Sequence, residues 1–170
     1  GKVLYLGISN FAAWQAATAI GITRLKNFAP VVCIQPMYSL VKRQAEVEIL
    51  PLALHEQLAV CPYSPIAAGL LTGKYARGES GRIKDHAMYA ERYKRDEYWE
   101  IASQFVTYAN QHGYTPSALA TRWVIDHPAV TSAIIGARNL DQLNQALEAA
   151  SFELSPEQRA EITALSIDPP

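Results

Sequence analysis

Apolar positions along the chain fall into short unbroken runs, and between them lie longer stretches with helical spacing. The runs cover residues 3–8, 31–35, 58–62 and 131–135, and each is followed by a helix signal. Short, almost wholly apolar runs predict strands buried on both faces, and such strands belong to parallel sheets covered by helices. Residues 97–112 place Tyr98, Ile101, Ala102, Phe105 and Ala109 on one helical face, and Gly113 follows as a stop. A second helix is expected from Thr115 as N-cap, with Pro116 in its first turn, ending before Pro128. Asn139 starts a third, with Leu140, Leu143 and Leu147 facing inward. Ser155, Pro156, Glu157 and Gln158 read as a capping box with proline at the first helical position. Trp14, Trp99 and Trp123 sit at helical spacing and read as packing residues. Residues 76–98 are charged and broken by Gly78 and Gly81, too long a stretch for an ordinary connection. They are expected to form a lid, with Arg77, Arg82 and Lys84 meeting phosphates.

Composition narrows the picture. The 170 residues allow one domain with a sizeable core. Hydrophobic residues at 49% against charged residues at 18% describe a globular chain and exclude a disordered one. A formal net charge of −1 gives no electrostatic case for nucleic acid or an anionic membrane. No apolar run approaches the roughly 20 residues of a membrane helix. Cys33 and Cys61 lie inside strand-like runs and are expected to be reduced thiols, as suits a cytoplasmic protein. The chain opens on Gly1 directly into a strand-like run, which is expected of a piece cut from something longer.

The strand-like runs and helices make four β/α units, whereas a closed (β/α)8 barrel takes about 250 residues. A doubly wound sheet would carry a Gly-rich turn after its first strand, and Gly7-Ile8-Ser9-Asn10 is not one. Either architecture binds ligands at the carboxyl ends of parallel strands. Those ends carry Ser9-Asn10, Gln35, Tyr63-Ser64 and Gly136-Ala137-Arg138. Ser, Asn and Gln side chains together suit a planar carboxamide, and a tyrosine offers a flat face to an aromatic ring. Residues 64–74 hold Gly69, Thr72, Gly73 and Lys74, a set suited to a pyrophosphate. Arg138 beside a helix start at Asn139 suits a phosphate monoester. Nicotinamide, pyrophosphate and an extra phosphate together describe NADPH.

Four segments, in order and covering essentially the whole chain, make the pattern specific. GKVLYLGISNF resembles the fifth-strand signature of aldo-keto reductases, QPMYSL the sixth, YSPIAAGLLTGKY the seventh and IIGARNLDQL the eighth. The flavour is that of bacterial reductases related to potassium-channel β-subunits. The resemblance implies an α/β fold, the C-terminal half (strands 5–8 with helices) of a (β/α)8 TIM-type barrel, with residues 1–170 as a single half-barrel domain. It implies that Ser9, Asn10 and Gln35 hold the nicotinamide carboxamide and that Tyr63 stacks on the ring. It puts Ser64, Ile66, Gly69 and Lys74 in the loop around the pyrophosphate. Gly136, Ala137 and Arg138 match the adenosine 2′-phosphate site of NADP(H), with Gln142 alongside. Where the family has an acidic residue and an asparagine against adenine, this chain has Gln145 and Ala146, which puts the adenine contact in doubt.

The resemblance also defines what is absent. The family's reaction uses a tyrosine as general acid, tuned by a lysine and an aspartate, with a histidine orienting the carbonyl. All come from the first half of the barrel, and nothing here matches them. His55 and His112 read as surface or packing residues, and His127 as a helix C-terminal cap. Tyr38, close to the Gln35 strand end, reads as a pocket residue at most. Three functions stay open at this point. The chain is the NADPH-binding half of a reductase of small-molecule carbonyl compounds, a non-catalytic NADP(H)-binding or sensing module, or a half-barrel scaffold. Its expected partner is an N-terminal half-barrel or a second copy of itself.

Overall fold

A computed structural model describes residues 2–169 as an α/β unit built on one small parallel sheet. Its strands are β1 (Leu6–Ser9), β2 (Val31–Gln35) and β3 (Ala59–Val60), hydrogen-bonded in the order β1-β2-β3. Helix α1 (Ala13–Leu25) crosses from β1 to β2, and α2 (Ile49–His55) crosses from β2 to β3. After β3 come α3 (Arg82–Asp85), α4 (Ala87–Arg92), α5 (Asp96–Gln111) and α6 (Pro116–Ile125). The chain ends with α7 (Leu140–Leu147) and α8 (Pro156–Ala164). Among the described residues, no helix is long and apolar enough to cross a membrane.

Prolines cut the strands shorter than the apolar runs suggest. Pro36 and Pro62 follow β2 and β3 and have no N–H to give the ladder. Pairing past them survives only as isolated contacts. Tyr63 N donates to Pro36 O at 3.0 Å, and Tyr38 N donates to Tyr63 O at 3.3 Å. The expected fourth strand, 131–135, does lie parallel beside β3, with Ile134 N donating to Pro62 O at 2.8 Å and a bridge from Tyr63 to Ile134. It is not a regular strand. The Thr131 hydroxyl accepts the Val60 N–H at 3.0 Å, where a ladder would use a backbone carbonyl.

One face of the sheet is buried. Ile34 and Val60 point into a core shared with Ala16, Leu50, Ala53, Phe105, Leu119, Trp123 and Ile162. The alternate positions, Cys33 and Cys61 among them, are half-buried, and both thiols are free. β1 is largely exposed, so burial on both faces does not hold for it. The α7 leucines also depart from expectation: Leu140 is 74% exposed and Leu147 54%, α7 fully buries none of its residues, and the buried residue of this stretch is Ala149 in the turn that follows. Trp123 is fully buried, whereas Trp14 is 68% exposed on α1 and Trp99 sits at the core's rim.

A polar network seals the core beneath the β2–α2 connection. Tyr38 is fully buried and its hydroxyl donates to Glu46 Oε1 at 2.6 Å. The Arg43 fork donates to both Glu46 oxygens, at 3.0 and 2.8 Å, and its Nη1 to Asp168 at 3.2 Å. Trp123 tilts against Tyr38 at 5.2 Å and donates from Nε1 to Thr163 Oγ1 at 2.9 Å. Tyr38 is therefore a structural residue of this network and is absent from the lining of the cavity at the carboxyl end of the sheet. Burial resists ionisation of Glu46, but the Arg43 and Tyr38 hydrogen bonds outweigh it and hold the carboxyl below its ordinary value. Burial first, then the hydrogen bond to Glu46 and the charge of that carboxylate, push the Tyr38 hydroxyl far up against the lowering charges of Arg159 and Arg43.

His127 joins this network rather than capping a helix. Its Nδ1 accepts the Ala129 N–H at 3.1 Å, and its ring stands edge-on to Tyr38 at 5.7 Å. Burial, then the charges of Arg159 and Arg43, lowers its pKa, against the pull of Glu46. A base with a lowered folded pKa binds more protons when unfolded, so its contribution is whole above the ordinary value of 6.5 and is lost as pH falls below it. Glu46 loses its contribution only below its own ordinary value of 4.5. We predict that His127→Asn, which keeps an acceptor near Ala129, flattens stability between those values and leaves the more acidic limb intact. Urea midpoints measured across the range check this; an unchanged slope in the variant assigns the dependence elsewhere.

Candidate functional site

The carboxyl end of the sheet opens into a cavity of about 730 Å³. Its floor is Tyr63 at the end of β3 and the loop that follows, and one wall is 134–138 running into α7. The other wall is the start of α6, with Thr115, Pro116, Ser117 and Thr121. Arg77, Glu79, Arg82 and Tyr89 reach in from the long segment above.

The loop after β3 is shaped by its backbone. Ser64, Ala67 and Ala68 take the left-handed conformation with φ of 61°, 50° and 56°, and Gly69 follows at 93°. Residues with a Cβ occupy that region at a cost, and a run of them at one loop is a common mark of a functional site. Side chains hold the loop in place: Thr72 Oγ1 donates to Gly69 O at 2.7 Å, and Tyr75 Oη donates to Ala68 O at 3.0 Å.

The cavity is electropositive. Arg77 is neutralised by Glu79 at 2.8 Å, but among the described residues Lys74, Arg82 and Arg138 make no ion pair. Burial, and next the positive charge of Arg138, lowers the Lys74 pKa. Two helix N-termini add their partial charge. Thr115 makes no side-chain cap bond at α6, which leaves first-turn N–H groups available beside Ser117. At α7, Asn139 Oδ1 accepts the Gln142 N–H at 2.9 Å, and Gln142 Oε1 accepts the Arg138 N–H at 2.9 Å. Gln142 therefore spends its carbonyl on holding Arg138 at the helix start.

Beside the floor a hydrogen-bonded line crosses three strand ends. Tyr63 Oη donates to Asn10 Oδ1 at 2.7 Å, Asn10 Nδ2 to Ser9 Oγ at 3.2 Å, and Ser9 Oγ to Gln35 O at 2.9 Å. The amide orientation of Asn10 follows from this network. The arrangement offers an aromatic face, amide groups and a positive cradle in which, among the described residues, Lys74, Arg82 and Arg138 make no ion pair.

The sequence matches the Aldo/keto reductase family over residues 1–167. The chain belongs to the aldo-keto reductase family. It is 34% identical over 158 residues to the uncharacterized oxidoreductase YrpG of Bacillus subtilis (strain 168), across 92% of this chain and 47% of that protein. It is 30% identical over 167 residues to protein tas of Escherichia coli (strain K12), across 97% and 48% respectively. Human aflatoxin B1 aldehyde reductase member 4 is 34% identical over 170 residues, across 88% and 51%. The chain thus spans about half the length of these relatives.

In this aldo-keto reductase chain the structure gathers most of the residues singled out by sequence. Tyr63, Ser64, Ile66, Gly69, Lys74, Gly136, Ala137, Arg138 and Gln142 all line the cavity. Ser9, Asn10 and Gln35 do not line it; they stand beside it through the Tyr63 hydrogen bond. The expected lid is a folded segment containing α3 and α4. Tyr75, Ile83, Tyr93 and Tyr98 are buried, and Lys42 Nζ donates to Tyr98 Oη at 2.8 Å. Lys84 is turned away, donating to Gly78 O at 3.2 Å. Sequence reasoning missed Ser117, Thr121 and Asn110. The N-cap and proline pattern at Thr115-Pro116 was the signal, since it marks a helix start whose N–H groups need a partner.

The left-handed alanine gives a direct test of strain in this loop. Ala68→Gly should stabilise the protein by about 1 kcal/mol, the relieved strain exceeding glycine's extra unfolded-state entropy. Chemical denaturation checks this, and a destabilised variant would mean that the methyl group's packing outweighs the strain.

Proposed function

We propose that this chain is the NADP(H)-binding C-terminal half of an aldo-keto reductase barrel, which reduces aldehydes and ketones to alcohols once an N-terminal half completes it. The observation that carries this reading is the single cavity joining Tyr63, the 64–74 loop and the Arg138–α7 junction, with three cations left unpaired. That donor set fits the cofactor: an aromatic floor with amides beside it, backbone and lysine donors next, and an arginine at a helix start last. When bound, the cofactor supplies a hydride to the carbonyl carbon.

The chain's own residues would bind and orient. Ser9, Asn10 and Gln35 would fix the plane of the carboxamide, with Asn10 itself fixed by the Tyr63 hydroxyl. The Tyr63 ring would support one face of the nicotinamide and leave the other open. Lys74 would face the pyrophosphate. Arg138, held by Gln142, would pair with the 2′-phosphate at the start of α7. The name of the human relative, an aldehyde reductase, supports an aldehyde as substrate.

Two measurements test this. Arg138→Ala should weaken NADPH binding to a complete barrel by roughly 1.5–3 kcal/mol, the scale of a hydrogen bond to a charged group, and change NADH binding little. Equal losses for the two cofactors would remove Arg138 from the 2′-phosphate. The chain alone, shown by mass to carry no N-terminal half, should turn over no aldehyde with NADPH, because no acid reaches the carbonyl oxygen. Adding the missing half should restore turnover, whereas a second copy should not. Robust reduction by the isolated chain would refute the division of labour.

A further inference from the structure

We infer that Gly81 is a positioning residue for Lys74: with Gly69 it forms a slot, open only because both lack a side chain, that aims the Lys74 ammonium into the phosphate cradle. The inference rests on the proposed cofactor reading and adds to it a residue that carries no charge and lies in the segment above the cavity.

The slot is defined by what a methyl group would meet. A Cβ on Gly81 would lie 2.1 Å from Lys74 Nζ, 2.8 Å from its Cε and 2.8 Å from Tyr75 Oη. A Cβ on Gly69 would lie 2.7 Å from Lys74 Cε and 3.3 Å from Nζ. Real Cβ atoms do not approach so closely, so the lysine passes between two bare Cα atoms. The third side is the Tyr75 ring, whose centroid lies 4.9 Å from Lys74 Nζ. Tyr75 cannot give way easily, because its hydroxyl donates to Ala68 O at 3.0 Å and accepts the Ile83 N–H at 3.1 Å.

The two glycines are not equivalent. Gly69 has φ of 93° and needs glycine for its backbone as well as for its space. Gly81 has φ of 160°, an extended backbone that other residues adopt, so only its missing side chain matters. A long flexible lysine usually samples many rotamers, and ordering it costs conformational entropy. The slot meets that cost on folding, before any phosphate arrives. It leaves the ammonium partly desolvated and close enough to Arg138 for the two like charges to repel, as the lowered Lys74 pKa reflects. A phosphate between them relieves that repulsion.

The test is a double-mutant cycle on NADPH binding to the complete barrel that contains this chain, read by cofactor fluorescence. Lys74→Ala should weaken binding roughly tenfold, as loss of a charge-assisted hydrogen bond does. Gly81→Ala should weaken it by a similar factor in the parent, and by less than about twofold when Lys74 is already alanine. Lys74→Arg leaves the glycines untouched and keeps the charge, but its planar guanidinium is too wide for the slot. It should bind as poorly as Lys74→Ala, and it keeps the inference testable if Gly81→Ala does not fold. If Lys74→Ala binds NADPH like the parent, the phosphate role of Lys74 fails and the slot with it. If Lys74→Ala weakens binding but Gly81→Ala does not, or its loss simply adds, or Lys74→Arg binds normally, the cofactor reading stands and the slot is overturned.

Discussion

The prolines that follow β2 and β3 set the level at which everything else in this molecule is arranged. A parallel ladder needs an N–H at every second residue of each strand, and Pro36 and Pro62 withhold it at the same end of the sheet. The backbone must leave the sheet there. Tyr63, the 64–74 loop and the 134–138 segment depart from one edge, so residues far apart in the chain surround one cavity. The remaining contacts past the prolines, such as Tyr63 N to Pro36 O, keep the departing strands from splaying. Below that level the sheet is held by apolar packing, and above it by side-chain hydrogen bonds and left-handed turns.

The two regions solve opposite electrostatic problems. In the core, Arg43 and Glu46 are brought together with their hydrogen bonds closely matched; removing Arg43 would leave Glu46 partly buried without a counter-ion, and removing Glu46 would leave Arg43 only the exposed Asp168. In the cavity, Lys74, Arg82 and Arg138 are left without carboxylates although Glu79 and Asp141 are near enough to line the same space. Glu79 is spent on Arg77, and Asp141 sits in the first turn of α7, where the helix dipole favours it. An excess of cations held in a concave site is a standing cost that an anion repays. Gln142 follows the same logic: its amide restrains the backbone of Arg138, and the guanidinium makes no ion pair among the described residues.

Much of this was legible in the sequence because it depends on local rules. The helix starts at Pro116, Asn139 and Ser155 follow from capping chemistry, and the Ser155–Gln158 box is present with both bonds, at 3.2 and 3.0 Å. The α5 face is buried as its spacing predicts. The cavity residues were readable because each stands next to a strand end or a helix start. What could not be read depends on partners distant in the chain. Nothing local reveals that Tyr38 is packed on Trp123 and, through Arg43, joined to a network that reaches Asp168. The α7 leucines misled for a similar reason. Periodicity identifies an apolar face but not what covers it, and α7 presents that face outward in this chain. The fourth strand-like run lies parallel beside β3 as expected but is irregular, since the Thr131 hydroxyl takes the Val60 N–H and Pro62 has none to give.

The exposed apolar residues extend the same argument to the other edge of the molecule. Trp14, Ile22 and Leu25 lie along the solvent side of α1, and Leu4, Tyr5, Phe11 and Phe28 flank the open edge of β1. Fully burying a side chain of this kind is worth roughly 1.5–3 kcal/mol, so each one left in water forfeits stability on that scale. An exposed strand edge compounds the cost, because its N–H and C=O groups invite pairing. The cavity is better secured: its loop and the start of α7 are held by contacts made within this chain. Completion of the barrel as proposed would therefore cover the exposed β1 edge and supply the acid, while the cavity's loop and the start of α7 are already held within this chain.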